Sequence, residues 1–303
     1  MSVRDRKQYA FDLLMLTVVI IWGFNFSVMK LVYRSVHPIA FNAVRFLIAT
    51  STMTLLLKLS GVSIRIDRED VRGVVWLGFV TNTVYQFLFV LGLDRTKAGN
   101  AGLLMALTPI FAYLIGVFMK RERFSPGVLS GIILSLVGVS TIIFFGSSQI
   151  SFGGSRNGDL MMIGAAFCWG WYSAKSIRWL PKYGALRLTV TSMIAGTAIM
   201  LPLSVPWLLS QNWSGIGPAA WLGLGYSALL SIVYGYFVWA HALNSIGLAH
   251  TAVFSNVTPI VALAAGWIVL GERPVGAQLI GVVLVLTGVF MVRSRKPMVV
   301  PDE

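Results

Sequence analysis

Aromatic and amide side chains recur at helical spacing inside the most apolar stretches of this 303-residue sequence. Trp22, Asn25, Phe26 and Met29 fall at i, i+3, i+4 and i+7, which places them on one face of a helix. Trp169, Tyr172, Ser173 and Ser176 repeat that spacing, as do Asn82, Tyr85, Gln86 and Phe89, and again Ile232, Gly235, Tyr236 and Trp239. Rings interleaved with amides and hydroxyls bind rather than break bonds. They suit a small-molecule substrate with a flat or apolar body and polar ends, such as an amino acid or an aromatic metabolite, and ring faces also suit an organic cation. The same spacing serves plain packing between helices. Tyr234 and His241 share another face with Ser227 and Ser231, and His241 lies near the end of its stretch. Arg45 is the basic residue set well inside an apolar run. A buried guanidinium needs a partner: a substrate carboxylate, backbone carbonyls, or water reached by snorkelling outward.

Catalysis finds little to work with. The 11 acids lie in tails, loops or the ends of apolar runs, the lone Cys168 cannot form an internal disulfide, and the 3 histidines show no metal-ligand spacing. An enzyme would need clustered acids, histidines or a nucleophile beside a base. No metal, cofactor or soluble partner is implied. With no carboxylate expected at mid-depth for proton or sodium coupling, flux down a gradient or exchange is the expected energetics.

The elements that must carry these faces are membrane spans. Hydrophobic residues make up 56% of the chain and charged ones 12%, against roughly 25% charged in a soluble domain. Apolar runs and their polar or Gly/Pro punctuation predict an all-α integral membrane protein with spans at 10–33, 38–57, 71–92, 99–119, 126–145, 159–179, 187–209, 218–243, 248–270 and 275–292. The first is expected to be a retained span, since no small-residue cleavage site closes a short apolar region after Arg4, Arg6 and Lys7. The net charge of +13 comes from short basic clusters between spans, which match anionic lipid headgroups better than nucleic acid. Basic clusters around Arg4, Arg65, Lys120, Lys175 and Arg293 fall on one side when both termini are cytoplasmic, leaving only Lys30, Arg34, Arg95, Lys97, Arg156 and Arg273 outside. The expected location is the cell (inner) membrane.

The chain also repeats itself. At a register of 150 residues, Thr108, Pro109, Gly116, Glu122, Arg123, Gly131 and Gly138 meet identical types at 258, 259, 266, 272, 273, 281 and 288; at 147, Asp12, Leu13, Trp22 and Gly23 meet Asp159, Leu160, Trp169 and Gly170. Two five-helix units result, 8–145 and 159–292, and because five is odd the second enters the membrane upside down. Inverted repeats give secondary transporters near-equivalent states open to either side, with the substrate where the halves meet; multidrug efflux is the rival to metabolite export, and a duplicated membrane scaffold that does not transport is the alternative to both.

Trp22-Gly23-Phe24-Asn25-Phe26, Val44-Arg45-Phe46, Leu107-Thr108-Pro109, Gly271-Glu272-Arg273 and the Gly-spaced fifth and tenth spans together resemble the EamA family of the drug/metabolite transporter superfamily. The resemblance runs over residues 8 to 292 and implies ten helices, cytoplasmic termini, a central cavity and export of amino acids or other metabolites. Trp169-Gly170-Trp171-Tyr172 is unusually aromatic for it. The candidate substrate-binding residues are therefore Trp22, Asn25, Phe26, Arg45, Asn82, Tyr85, Gln86, Trp169, Tyr172, Tyr236 and Trp239. Pro109 and Pro259 are candidate hinges for the rocking that the family resemblance implies, or bends that only shape packing. Asp12 and Asp159 are expected as anions at helix N-termini. Gly127, Gly131, Gly138, Gly276, Gly281 and Gly288 are expected to permit close helix contact, within the chain or in a homodimer.

Overall fold

A computed structural model describes residues 3–96, 98–145, 156–261, 263–264 and 274–295. Glu272 and Arg273 of the second repeat lie outside the described residues. The described residues form ten helices: α1 (Val3–Val32), α2 (Pro38–Leu59), α3 (Arg68–Arg95), α4 (Asn100–Phe118), α5 (Pro126–Phe144), α6 (Arg156–Ser176), α7 (Leu180–Ser210), α8 (Pro218–Ile246), α9 (Leu248–Val261) and α10 (Gly276–Arg293). Pro38, Pro126 and Pro218 each open a helix, where proline's fixed φ fits and its missing N–H has no partner to lose. Asp67, Glu69 and Asp70 at the start of α3 suit the positive end of its dipole.

Large apolar side chains cover the outside of the bundle: Leu13, Leu55, Phe118, Leu209, Leu222, Val283 and Phe290 are all exposed. Water would not tolerate so continuous an apolar coat, and lipid requires it. The polar side chains are turned inward instead; Asn42, Arg45, Asn82, Gln86, Ser173, Ser227 and Asn256 are buried.

The two halves grip each other. α5 lies along α10, α2 along α7 and α8, α3 against α6 and α7, α4 on α6, and α1 on α8. Gly131 meets Gly288 and Gly138 meets Gly281 at the α5–α10 contact, and under the 150-residue register each contact maps onto the other. A Cβ placed on Gly138 would lie 2.7 Å from Gly281 O, so this approach requires glycine. Gly131, Gly138, Gly281 and Gly288 are thus spent on one another, whereas Gly127 lies against the Arg295 side chain and nothing lies within 4 Å of a Cβ added to Gly276.

Several helices depart from α geometry, in matched places. α3 carries a π-helical stretch at Phe79–Val84 and α8 one at Ser227–Tyr234. α4 is broken at Ala106 and Leu107, just before Thr108-Pro109, and α9 passes through a 3-10 segment at Val253–Val257, just before Thr258-Pro259. Proline lacks the N–H that would continue the ladder and crowds the preceding turn, so each break falls where the repeat places its Thr-Pro. One expectation is corrected: α1 begins at Val3, so Asp12 lies inside the helix rather than at its N-terminus, and it is held by Arg293 of α10. Asp159 does sit in the first turn of α6, where it accepts from Thr96 Oγ1.

Candidate functional site

A cavity lies where the halves meet, with about 700 Å³ of space not filled by protein atoms, open space at its mouth included. Its lining includes Trp22, Asn25 and Phe26 from α1, Arg45 from α2, Tyr85, Gln86 and Phe89 from α3, Trp169 from α6, and Ser231, Ile232 and Tyr236 from α8. Gly102, Met105 and Thr108 of α4 and Ser255 and Thr258 of α9 complete it. Phe26, Phe89 and Gly102 lie toward the end of the bundle away from the termini. The end that carries the termini is crossed by contacts from Asp12 to Arg293, from His250 Nε2 to Arg295 O at 2.9 Å and from Ala249 N, which donates to Glu122 Oε1 at 3.2 Å.

Trp169 is the hub of the aromatic wall. Its ring centroid lies 5.7 Å from that of Trp22, edge to face, 5.1 Å from Tyr85, 4.9 Å from Tyr236 and 5.5 Å from Trp239. Such offset and T-shaped contacts complement the ring quadrupoles. Trp22 Nε1 donates to Ser231 O at 2.9 Å, a carbonyl in the π-helical stretch of α8, and Gly235 leaves room for the indole.

The polar wall starts at Arg45. Its Nη2 donates to Asn42 Oδ1 and Gln86 Oε1, both at 2.7 Å, and its Nη1 to Ser227 Oγ at 2.9 Å. Gln86 Nε2 then donates to Tyr236 OH at 2.7 Å. Phe41 and Phe46 flank the guanidinium with ring centroids 5.2 and 5.7 Å from Cζ. Asn25 Nδ2 meets Met29 Sδ, while Asn25 Oδ1 and Thr108 Oγ1 are buried without a partner.

Three residues from the sequence-derived set sit behind the lining rather than in it. Asn82 donates to Ser192 O at 3.0 Å and packs beside Gly196, tying α3 to α7. A π turn holds more residues than an α turn, so the face that contains Tyr85, Gln86 and Phe89 no longer includes Asn82. Trp239 is fully buried, packs at a tilt against Trp22 and Trp169, and donates to Ser173 Oγ at 3.1 Å. Tyr172 backs Trp169, with ring centroids 5.2 Å apart. Of the other face considered, Ser231 lines the cavity and Ser227 holds Arg45, whereas Tyr234 bonds Thr17 and His241 packs at a tilt against Phe237.

The contribution of α4 and α9 was not anticipated. Its signal was present in the repeat: Met105 and Ser255 occupy equivalent positions, as do Thr108 and Thr258, and all of them face the cavity.

The EamA-like transporter family model matches residues 10–144 and again 156–294. The chain belongs to the EamA-like transporter family. Among its relatives, the uncharacterized transporter YdfC of Bacillus subtilis is 28% identical over 269 residues, covering 89% of this chain and 86% of that one. A probable amino-acid metabolite efflux pump of Salmonella typhimurium is 27% identical over 298 residues, covering 92% and 93%. Its namesake in Escherichia coli is 26% identical over 302 residues, covering 93% and 96%. A crystal structure with 19% sequence identity shares the fold at a TM-score of 0.77, covering 93% of this chain and 96% of that one. This EamA chain is thus a multi-pass membrane transporter, with each half carrying the family signature once.

Proposed function

We propose that this transporter exports a small organic metabolite, an amino acid or an aromatic compound, across the cell membrane by alternating access, with both termini in the cytoplasm. The observation that carries the reading is that equivalent residues of the two halves meet at the cavity: Trp22 with Trp169, and Gln86 with Tyr236. A substrate bound there touches both repeats, so a rocking of one against the other changes which side it faces. The ties at the termini end, Asp12–Arg293 and Glu122–Ala249, fit one of the two end states. Basic clusters at that end favour the cytoplasmic side for it. The amino-acid metabolite efflux attached to two relatives fits a cavity with aromatic and amide walls.

A second reading, efflux of organic cations, draws on the same rings around Trp169. The test is uptake into proteoliposomes of a labelled panel of amino acids, aromatic acids and aromatic cations. Trp169→Phe is the informative variant, because Trp169→Ala removes a side chain that touches rings on every side and is expected to cost about 3–5 kcal/mol of stability. Saturable uptake of one class, weakened by Trp169→Phe, is the expected result. Linear, non-saturable flux or none across the panel would refute carrier transport of these compounds.

A further inference from the structure

Arg45 is 2% exposed, yet it lines the cavity. Its four terminal N–H groups are spent on neutral acceptors: Ser227, Asn42, Gln86 and, at 3.4 Å, Met29 Sδ. None of these cancels its charge. Among the described residues no carboxylate pairs with it, and the carboxylates that do form ion pairs, Asp12, Asp67 and Asp70, are held by Arg293 and Lys182 instead. A buried, uncompensated cation is costly in a low-dielectric interior, and the described residues supply this guanidinium with no counter-charge. One donor is also left over: Arg45 Nε is buried with no hydrogen-bond partner.

Two more residues that line the cavity each carry a buried polar atom in the same position. Asn25 Oδ1 is an acceptor without a donor, and Thr108 Oγ1 is a hydroxyl without a partner. Buried polar groups are satisfied in the great majority of cases, and the exceptions call for an explanation. Here the unsatisfied set comprises a cationic donor, an acceptor and a hydroxyl around one cavity, with the rings of Trp22, Tyr85 and Trp169 between.

Resting on the transport reading above, we infer that Arg45 is the charge-selecting residue of this carrier: it takes a substrate carboxylate at its Nε edge, while Asn25 and Thr108 take a hydrogen-bond donor elsewhere on the same molecule. The ligand class is an apolar or aromatic carboxylic acid, bound more firmly when it also bears an ammonium or hydroxyl group. Amines that lack a carboxylate are repelled by the same charge. The carboxylate supplies the missing counter-charge without displacing the neutral acceptors that hold the guanidinium in place. The site thereby separates acids from the organic cations that an aromatic cage alone would accept.

The test uses purified full-length protein in detergent and matched ligands that share one apolar body: 3-phenylpropionate, phenylalanine and phenethylamine, with hexanoate, norleucine and hexylamine as the aliphatic series. Binding is read by calorimetry, separately from flux in proteoliposomes. The wild type is expected to bind the acids and amino acids at least tenfold more tightly than the amines. Arg45→Gln is expected to lower acid affinity by roughly tenfold to a hundredfold, the range for a hydrogen bond to a charged group, while Arg45→Lys keeps the order of preference. Should Arg45→Gln not fold, Asn25→Ala decides independently, since it is expected to weaken phenylalanine against 3-phenylpropionate. Amines binding as tightly as acids in the wild type would overturn the inference and leave carrier transport standing, as would an acid-to-amine ratio that Arg45→Gln does not change. Binding of no acid in either series would overturn it too, and absence of flux besides would remove the transport reading with it.

Discussion

Gln86 Nε2 donates to Tyr236 OH at 2.7 Å, and the two residues are 150 positions apart, the register of the internal repeat. Each is therefore the counterpart of the other, so the bond lies close to the axis that relates the halves. Trp22 and Trp169, equivalent at 147, meet edge to face, and Thr50 Oγ1 and Thr197 Oγ1, also 147 apart, lie 2.9 Å from each other. These pairs run through the contact between the repeats. Gln86 in turn is bound by Arg45, so the charged centre of the cavity is coupled to both halves through neutral hydrogen bonds.

Tyr236→Phe removes the acceptor for Gln86 Nε2 and leaves a buried amide N–H unmet. A loss of about 1–3 kcal/mol is expected, read as a lower melting temperature in detergent. The double variant Gln86→Leu with Tyr236→Phe should lose less than the sum of the single variants, because neither partner is then left waiting. Full additivity in that cycle would show the bond to be unimportant.

Gly138→Ala places a methyl 2.6 Å from Val285 N and 2.7 Å from Gly281 O. Forcing α5 and α10 apart is expected to cost about 1–3 kcal/mol. Gly225→Ala is the control, since nothing lies within 4 Å of its added Cβ; its melting temperature should hold or rise, as a helical glycine replaced by alanine gains about 0.5–1 kcal/mol. Equal melting temperatures for the two variants would contradict the packing.

Glu122 lies in the connection between α4 and α5, and burial pushes its carboxyl up from 4.5 to about 7, against the opposing hydrogen bonds from the backbone of Ala249 and Leu248. The folded protein therefore holds this proton more tightly than the unfolded chain does. Its contribution is fully favourable below about pH 4.5 and is lost as pH rises through about 7. The melting temperature of the wild type relative to Glu122→Gln should fall across that window. A difference that stays flat from pH 5 to pH 8 would show that Glu122 titrates normally.

Pro109→Ala and Pro259→Ala restore an N–H at the breaks in α4 and α9, allowing the ladder to close past Ala106 and Val257. If the breaks are hinges, flux should fall severalfold with substrate affinity unchanged, and the double variant should fall further. An unaltered flux in the double variant would reduce the breaks to packing features.

Much of this molecule was written in periodic properties that survive in one dimension. Apolar run length marked the spans, the 150- and 147-residue registers marked the duplication, and the i, i+3, i+4, i+7 rule brought Trp22, Asn25, Phe26, Tyr85, Gln86, Trp169 and Tyr236 to one cavity. Arg45 was visible as a charge where hydrocarbon should be. What periodicity could not carry were departures from the regular helix. The π turns at Phe79–Val84 and Ser227–Tyr234 change the phase of α3 and α8, which turns Asn82 toward α7. Burial depth depends on which helix lies behind, so Tyr172 and Trp239 became the backing of the aromatic wall rather than its surface. The pairing of Gly138 with Gly281 and the inward turn of Met105, Thr108, Ser255 and Thr258 likewise arise only when helices distant in sequence are pressed together, because contact between them, not local propensity, sets which side of an apolar helix faces the cavity.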